Sequence, residues 1–115
     1  MFKLGPTGAE RVLHTFMGTD GANPNAGVIR DSAGNLYSTT TRGGANGTGA
    51  VFKLDLAGSE TVLYSFRGKP RGFEPYAGLI RDSAGNLYGT TSFGGFTGGE
   101  CKSTGGCGVI FKLKP

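Results

Sequence analysis

The sequence predicts an all-β protein built from tandem repeats, and three observations support this prediction. A nine-residue stretch, 29–37, returns residue for residue at 80–88, and the tripeptide Phe-Lys-Leu occurs three times. Short apolar runs alternate with turns rich in glycine, which supplies 23 of the 115 residues. No segment shows a helical period of apolar residues over an adequate length. The chain is therefore expected to fold as short antiparallel strands in repeats of about 50 residues.

The repeated stretch 29–37 is typical of a β-hairpin, with apolar residues on either side of Asp-Ser-Ala-Gly-Asn. Aspartate and serine can hydrogen-bond nearby backbone in such a turn, while glycine and asparagine tolerate positive φ. A calcium site is disfavoured because Ca²⁺ takes about six to eight oxygens, more than this turn supplies. Because both copies carry the turn, we interpret it as an architectural element. Its shared residues are Asp31, Gly34 and Asn35 in the first copy and Asp82, Gly85 and Asn86 in the second.

Two further types of strand complete the repeat. We label the two arms of the hairpin A and B. The Phe-Lys-Leu strands, which begin at Phe2, Phe52 and Phe111, are labelled C. The segments 10–16 and 60–66, which both contain a Val-Leu pair, are labelled D. Along the chain the predicted strands then follow the order C-D, A-B-C-D, A-B-C.

Four short antiparallel strands in about 50 residues match one blade of a β-propeller. The predicted fold class is therefore all-β, with two four-stranded antiparallel propeller blades completed by oligomerisation or by further repeats. We expect a single repeat domain over 1–115, with repeat units at approximately 2–51 and 52–110. A partial extra strand is expected at 109–113.

The residues of this repeat also resemble a known family. The stretches 49–55, 60–66 and 77–91 resemble the GloVer-type bacterial tandem repeat. Members of that family are propeller-like repeats in large proteins that are often exported or anchored at the cell surface. The resemblance covers nearly the whole chain, and it implies propeller blades and an extracellular or cell-surface location. It brings no catalytic residues with it.

Two blades cannot close a propeller, which needs about four to eight. We expect a head-to-tail homo-oligomer of about three or four chains, in which strand D of one chain completes the last blade of the next. One C strand, either 1–4 or 109–113, is then in excess. Two alternatives stay open at this point: an open filament of the same chains, or a sequence that is part of a longer repeat protein.

Two cysteines, Cys101 and Cys107, lie six residues apart in an enlarged connection of the second copy. A zinc site is disfavoured, since structural zinc takes four ligands and the only histidine is His14. We predict a local disulfide, which indicates an oxidising compartment. The alternative is two free thiols.

No set of residues in the sequence predicts catalysis. His14 has no repeated counterpart, because Tyr64 stands at its place in the second copy. A general base needs positioned partners, so we interpret His14 as a structural or surface residue. The sequence also offers no Ser-His-Asp arrangement at recognisable spacing. We therefore expect a non-enzymatic structural or interaction module that uses no cofactor and no metal.

The charge distribution argues against nucleic acid and membrane as partners. The formal net charge is +4, but the basic residues are scattered singly instead of forming a patch. No stretch reaches the apolar length of a transmembrane helix. We expect partners to be other copies of the same chain.

Aromatic residues in the loops of the second copy are candidates for binding a carbohydrate. Phe73, Tyr76, Phe93 and Phe96 lie in or beside these loops, where exposed rings can stack on sugars. A carbohydrate-binding site between blades is therefore the alternative function, and packing between blades is the simpler explanation of the same rings. Because the two copies differ most in 68–75 and 93–107, we expect any specific function to lie there.

Overall fold

The computed structural model describes residues 1–68 and 71–115, and within them the chain is all-β and antiparallel, as predicted. This part of the chain contains no α-helix and one short 3₁₀ turn, Gly99–Cys101. The strands are β1 Phe2–Leu4, β2 Glu10–Val12, β3 Ile29–Arg30, β4 Leu36–Thr40, β5 Ala50–Leu54, β6 Glu60–Ser65, β7 Ile80–Arg81, β8 Leu87–Thr90 and β9 Ile110–Leu113.

The strands form three separate sheets. The first sheet pairs β1 with β2, the central sheet has the order β3-β4-β5-β6, and the third has the order β7-β8-β9. This is the predicted succession of two, four and three strands. The register is repeated as well, because Phe2 lies opposite Val12 in the first sheet just as Phe52 lies opposite Val62 in the central one.

One predicted strand is shorter than expected. The first D segment was expected over 10–16, but β2 ends at Val12. Its partner β1 has only three residues, so beyond Val12 the remaining cross-strand bonds involve Met1. The Met1 carbonyl accepts the N–H groups of Leu13 and His14, and the Met1 amino group donates to the His14 carbonyl. In the central sheet β5 has five residues, and its partner β6 continues to Ser65.

The hydrophobic core lies between the central and the third sheet. Its buried cluster consists of Tyr37, Val51, Phe66, Leu79 and Leu87. These residues come from β4, β5, β8 and the connections that follow β6 and precede β7. The first sheet contributes none of them, so the best-packed part of the described chain is displaced away from β1 and β2.

The described chain is elongated, and its three sheets do not close into a barrel or ring. Its principal extents are 51 × 31 × 23 Å. The solvent-accessible surface is 6806 Å², compared with about 5,900 Å² for a compact monomer of this mass. The excess surface follows from the elongated shape.

Candidate functional site

The repeated turn is organised by the carboxylate of its aspartate. Asp31 Oδ1 accepts the backbone N–H of Asn35, and Oδ2 accepts both the side-chain amide of Asn35 and the hydroxyl of Tyr37, all at 2.9 Å. The second copy repeats these three bonds around Asp82, again at 2.9 Å. Both oxygens of each carboxylate are therefore engaged in holding the turn and the strand that leaves it.

These hydrogen bonds also set the protonation of the turn. The side-chain amide of Asn35 is the main reason that the pKa of Asp31 falls to about 2. Asn86 lowers the pKa of Asp82 to about 2 in the same way. Burial, together with the nearby aspartate, raises the pKa of Tyr37. At neutral pH each turn thus contains a charged carboxylate stabilised by neutral donors.

The glycine and the asparagine of the turn have different roles. Positive φ falls on the glycine alone, at 88° for both Gly34 and Gly85. The asparagine, which tolerates positive φ, does not adopt it here. Asn35 and Asn86 instead serve as donors to the aspartate, which explains why asparagine follows glycine in both copies.

Neighbouring sheets meet through the same aromatic contact at both junctions. Phe16, which follows β2, meets Phe52 of the central sheet edge-on with ring centroids 5.0 Å apart. Phe66, which follows β6, meets Phe111 of the third sheet edge-on at 5.2 Å. In each case a phenylalanine of the D segment packs on the phenylalanine of the next Phe-Lys-Leu strand. The sheets are therefore arranged as successive, equivalent units.

The first sheet exposes the residues that the central sheet buries. Phe52 and Leu54 of the central Phe-Lys-Leu strand are 0% and 2% exposed. The same residues of β1, Phe2 and Leu4, are 68% and 62% exposed. Phe2 is the equivalent of Phe52, which packs on Phe16 of the preceding sheet. No sheet of the described chain precedes the first one, so the apolar face that contains Phe2 is left uncovered.

The third sheet ends on an unpaired strand edge, and this edge also exposes an apolar side chain. β9 pairs with β8 on one side, and no strand of residues 1–68 or 71–115 pairs with its other side. Ile110 of β9 occupies the position of Val51 in the central strand, yet Ile110 is 83% exposed while Val51 is 0% exposed. The two ends of the molecule therefore present an unpaired strand edge and an uncovered apolar face.

The four loop aromatics of the second copy are not brought into one site. Phe73 and Phe93 stack on each other with centroids 5.2 Å apart, and their backbones are hydrogen-bonded. Tyr76 is exposed and donates its hydroxyl to the Glu74 carboxylate at 3.1 Å. Phe96 is exposed as well. Of the divergent loop 68–75, residues 69 and 70 lie outside the described chain.

A side-chain cluster that sequence reasoning missed lies between the first and the central sheet. His14 Nε2 is 2.8 Å from Asp20 Oδ2, and the carboxylate of Glu60 offers an oxygen within 4.8 Å of both. These residues lie on three separate segments, so their spacing in the sequence gives no sign of the contact. The one available signal was that histidine and tyrosine alternate at equivalent positions of the two repeats.

The pKa values of the two carboxylates in this cluster are shifted by burial and by their neighbours. Burial raises the pKa of Glu60, and the negative charge of Asp20 raises it further. Burial also acts to raise the pKa of Asp20, but the hydrogen bonds from the Met17 N–H and from His14 outweigh it, and the pKa is lowered. Two carboxylates with opposite pKa shifts therefore face the same histidine.

Comparison with known families identifies the repeat. A sequence model of the Gloeobacter/Verrucomicrobia repeat family matches residues 1–115. The chain belongs to this family. The match agrees with the predicted bacterial tandem repeat. Neither the curated proteins nor the solved structures contain a match to the chain.

This member of the Gloeobacter/Verrucomicrobia repeat family carries a disulfide in its second copy. Cys101 and Cys107 are bonded, with their Cα atoms 5.0 Å apart, so the predicted bridge is confirmed. It closes the insertion that separates β8 from β9, and it fits an oxidising environment. Within 1–68 and 71–115 the chain has no helix of the length and apolarity needed to cross a bilayer.

Proposed function

We propose that this chain is a non-enzymatic structural and interaction module whose sheets are β-propeller blades, completed by further copies of the chain into a closed ring. The observation that carries the proposal is the contrast between equal strands: Phe-Lys-Leu is buried in the central sheet and exposed in the first. Because Phe2 and Leu4 are mostly exposed, β1 is a weakly packed partner of β2 that another strand can replace, and the open edge of β9 in another copy is available for that pairing.

The repeat itself supplies a specific mode of assembly. β9 of one copy takes the place of β1 on strand β2 of the next copy. Both strands contain Phe-Lys-Leu, and β1 pairs with β2 in the register that β5 uses on β6. In that register Phe111 lies opposite Val12, and Leu113 lies opposite Glu10. β1 is the strand in excess, and it is displaced.

In the exchange Ile110 takes the place of Met1, whose backbone is hydrogen-bonded to His14 in the single chain. Ile110 then lies opposite His14, as Val51 lies opposite Tyr64 in the central sheet. The exchange covers Ile110, which is 83% exposed in the single chain. Burial of a side chain of this size contributes about 1.5–3 kcal/mol, and the lost packing of Met1 offsets part of it. Each chain then provides two complete four-stranded blades, so about three or four chains give a ring of six or eight.

The proposed location is extracellular or at the cell surface. The disulfide Cys101–Cys107 supports it, because such bonds persist in oxidising compartments. The partners are other copies of the same chain. If the angle between copies does not close a ring, the same pairing of β9 with β2 builds a filament.

Light scattering on the Ile110→Lys variant tests the assembly. Ile110 is exposed in the single chain, so a lysine there leaves the fold intact but places a charge in the proposed interface. The wild-type chain is expected to have three or four times the 11.8 kDa of one chain, and I110K is expected to be monomeric. Met17→Lys is the matched control and keeps the assembly, because Met17 is 85% exposed and the second copy carries Arg67 at the same position. A stable wild-type monomer at high concentration contradicts the proposal.

Carbohydrate binding is the second candidate, and the exposed ring of Phe96 is the observation that favours it. Phe73 and Phe93 cover each other, so a sugar would stack on Phe96 or Tyr76. A glycan array tests it: binding that Phe96→Ala abolishes supports the site, and no binding across a broad array removes it.

A further inference from the structure

Three side chains of metal-binding type meet at the junction of the first and central sheets. His14 follows β2, Asp20 lies in the loop beyond it, and Glu60 is the first residue of β6. One nitrogen and two carboxylate oxygens lie within 4.8 Å of one another. They all belong to one chain, so the cluster does not depend on any assembly with other copies.

Two of these ligand atoms are held in position by surrounding contacts. The Met17 N–H donates to Asp20 Oδ1 at 2.9 Å, which leaves Oδ2 to face the histidine. The ring of His14 packs edge-on against Phe16, with centroids 4.7 Å apart. Such outer contacts orient the ligands of metal sites and fix the direction of the ring nitrogen.

The third side chain, Glu60, has a buried carboxylate oxygen without a hydrogen-bond donor among the described residues. Glu60 Oε1 is inaccessible to solvent and accepts no hydrogen bond from any residue in the described ranges 1–68 and 71–115. A buried carboxylate oxygen without a donor or cation is costly, because its hydration is lost and not replaced. A cation bound by the Glu60 carboxylate would offset this cost.

We propose that His14, Asp20 and Glu60 bind one divalent transition-metal ion of the zinc class, with water as the fourth ligand of an open site. An imidazole nitrogen with two carboxylate oxygens suits Zn²⁺ and its neighbours, whereas Ca²⁺ takes about six to eight oxygen ligands. Ligands at about 2.1 Å from a tetrahedral ion lie about 3.4 Å from one another. That spacing falls within the present cluster, so side-chain rotation is enough to form the site. His14 and Asp20 are partly exposed, which gives the ion a path of entry.

The second copy lacks the site and shows what replaces it. Tyr64 is the equivalent of His14, and Arg71 is the equivalent of Asp20. The loops are aligned on Asn23 and Glu74, since each of these residues precedes a proline and has positive φ, 55° and 56°. An arginine at this position repels a cation. The proposed stoichiometry is therefore one ion per chain.

Titration of the intact, disulfide-bonded chain with ZnCl₂ in a calorimeter tests the proposal. We expect saturable binding of one ion per chain, and an absorption band of tetrahedral Co²⁺ when cobalt is used instead. His14→Tyr and Glu60→Gln are each expected to weaken the binding at least tenfold. His14→Tyr is chosen because Tyr64 packs on Phe66 in the second copy as His14 packs on Phe16.

Glu10→Gln is the matched control. Glu10 is the equivalent of Glu60: each is the first residue of its strand and lies opposite the leucine of a Phe-Lys-Leu strand. Glu10, however, is exposed and lies outside the cluster. It is expected to change the binding by less than twofold. Circular dichroism confirms that each variant keeps its fold. The absence of saturable binding, or binding that His14→Tyr and Glu60→Gln leave unchanged, overturns the proposal.

Discussion

The carboxylates of Asp31 and Asp82 show what a repeated residue does in this chain. Sequence alone predicts that each starts a turn and bonds to nearby backbone, and both do so. The bond from Tyr37 was not predictable, because it requires the tyrosine of β4 to reach back across the hairpin. The cluster of His14 was missed for a related reason, since its partners come from other segments.

The turn aspartates make the stability of the fold depend on pH. Their folded pKa of about 2 lies below the ordinary value of 3.8, so the charged form is favoured in the folded state. Their contribution is complete above about pH 4 and is lost as the pH falls toward 2. In Asp82→Asn one titrating group is absent, so urea unfolding should show a smaller loss of stability between pH 7 and pH 2. A variant with the same pH dependence as the wild type contradicts this role.

At the scale of elements, the order of the strands was predictable and their lengths were not. Order follows from the repeated motifs, which occur in the same succession in both copies. Length depends on the partner, as β2 shows by ending where the three-residue strand β1 stops pairing. Burial was likewise unpredictable, since Phe2 and Phe52 lie in the same tripeptide but only Phe52 is covered on both sides.

Substitution of these two phenylalanines distinguishes a strand that is packed within the chain from one that is exposed. Phe52→Ala is expected to lower the free energy of unfolding by about 3–5 kcal/mol, because it leaves a cavity beside Phe16. Phe2→Ala, at the equivalent exposed position, is expected to lower it by less than about 1 kcal/mol. Chemical denaturation of the dilute chain measures both. Equal losses would mean that β1 is packed as fully as β5.

At the scale of the whole molecule, the three sheets form an elongated series with an uncovered apolar face at one end and an open strand edge at the other. The composition agrees with incomplete burial, since only 37% of the residues are hydrophobic. Which residues are left uncovered follows only from comparing equivalent positions in three dimensions. That comparison supports the pairing of β9 with β2 between copies, which is the central claim.

A cysteine cross-link tests that claim most directly. Lys112 and Arg11 would lie opposite each other across the interface, and paired Cα atoms about 5.5 Å apart allow a disulfide. Chains carrying Lys112→Cys are mixed with chains carrying Arg11→Cys under mild oxidation, with Thr61→Cys as the control. Thr61 stands where Arg11 stands, but its partner Lys53 belongs to its own sheet. We predict an efficient link from 112 to 11 and none from 112 to 61. Equal yields for both pairs, or no link at all, would contradict the exchange of β1 for β9.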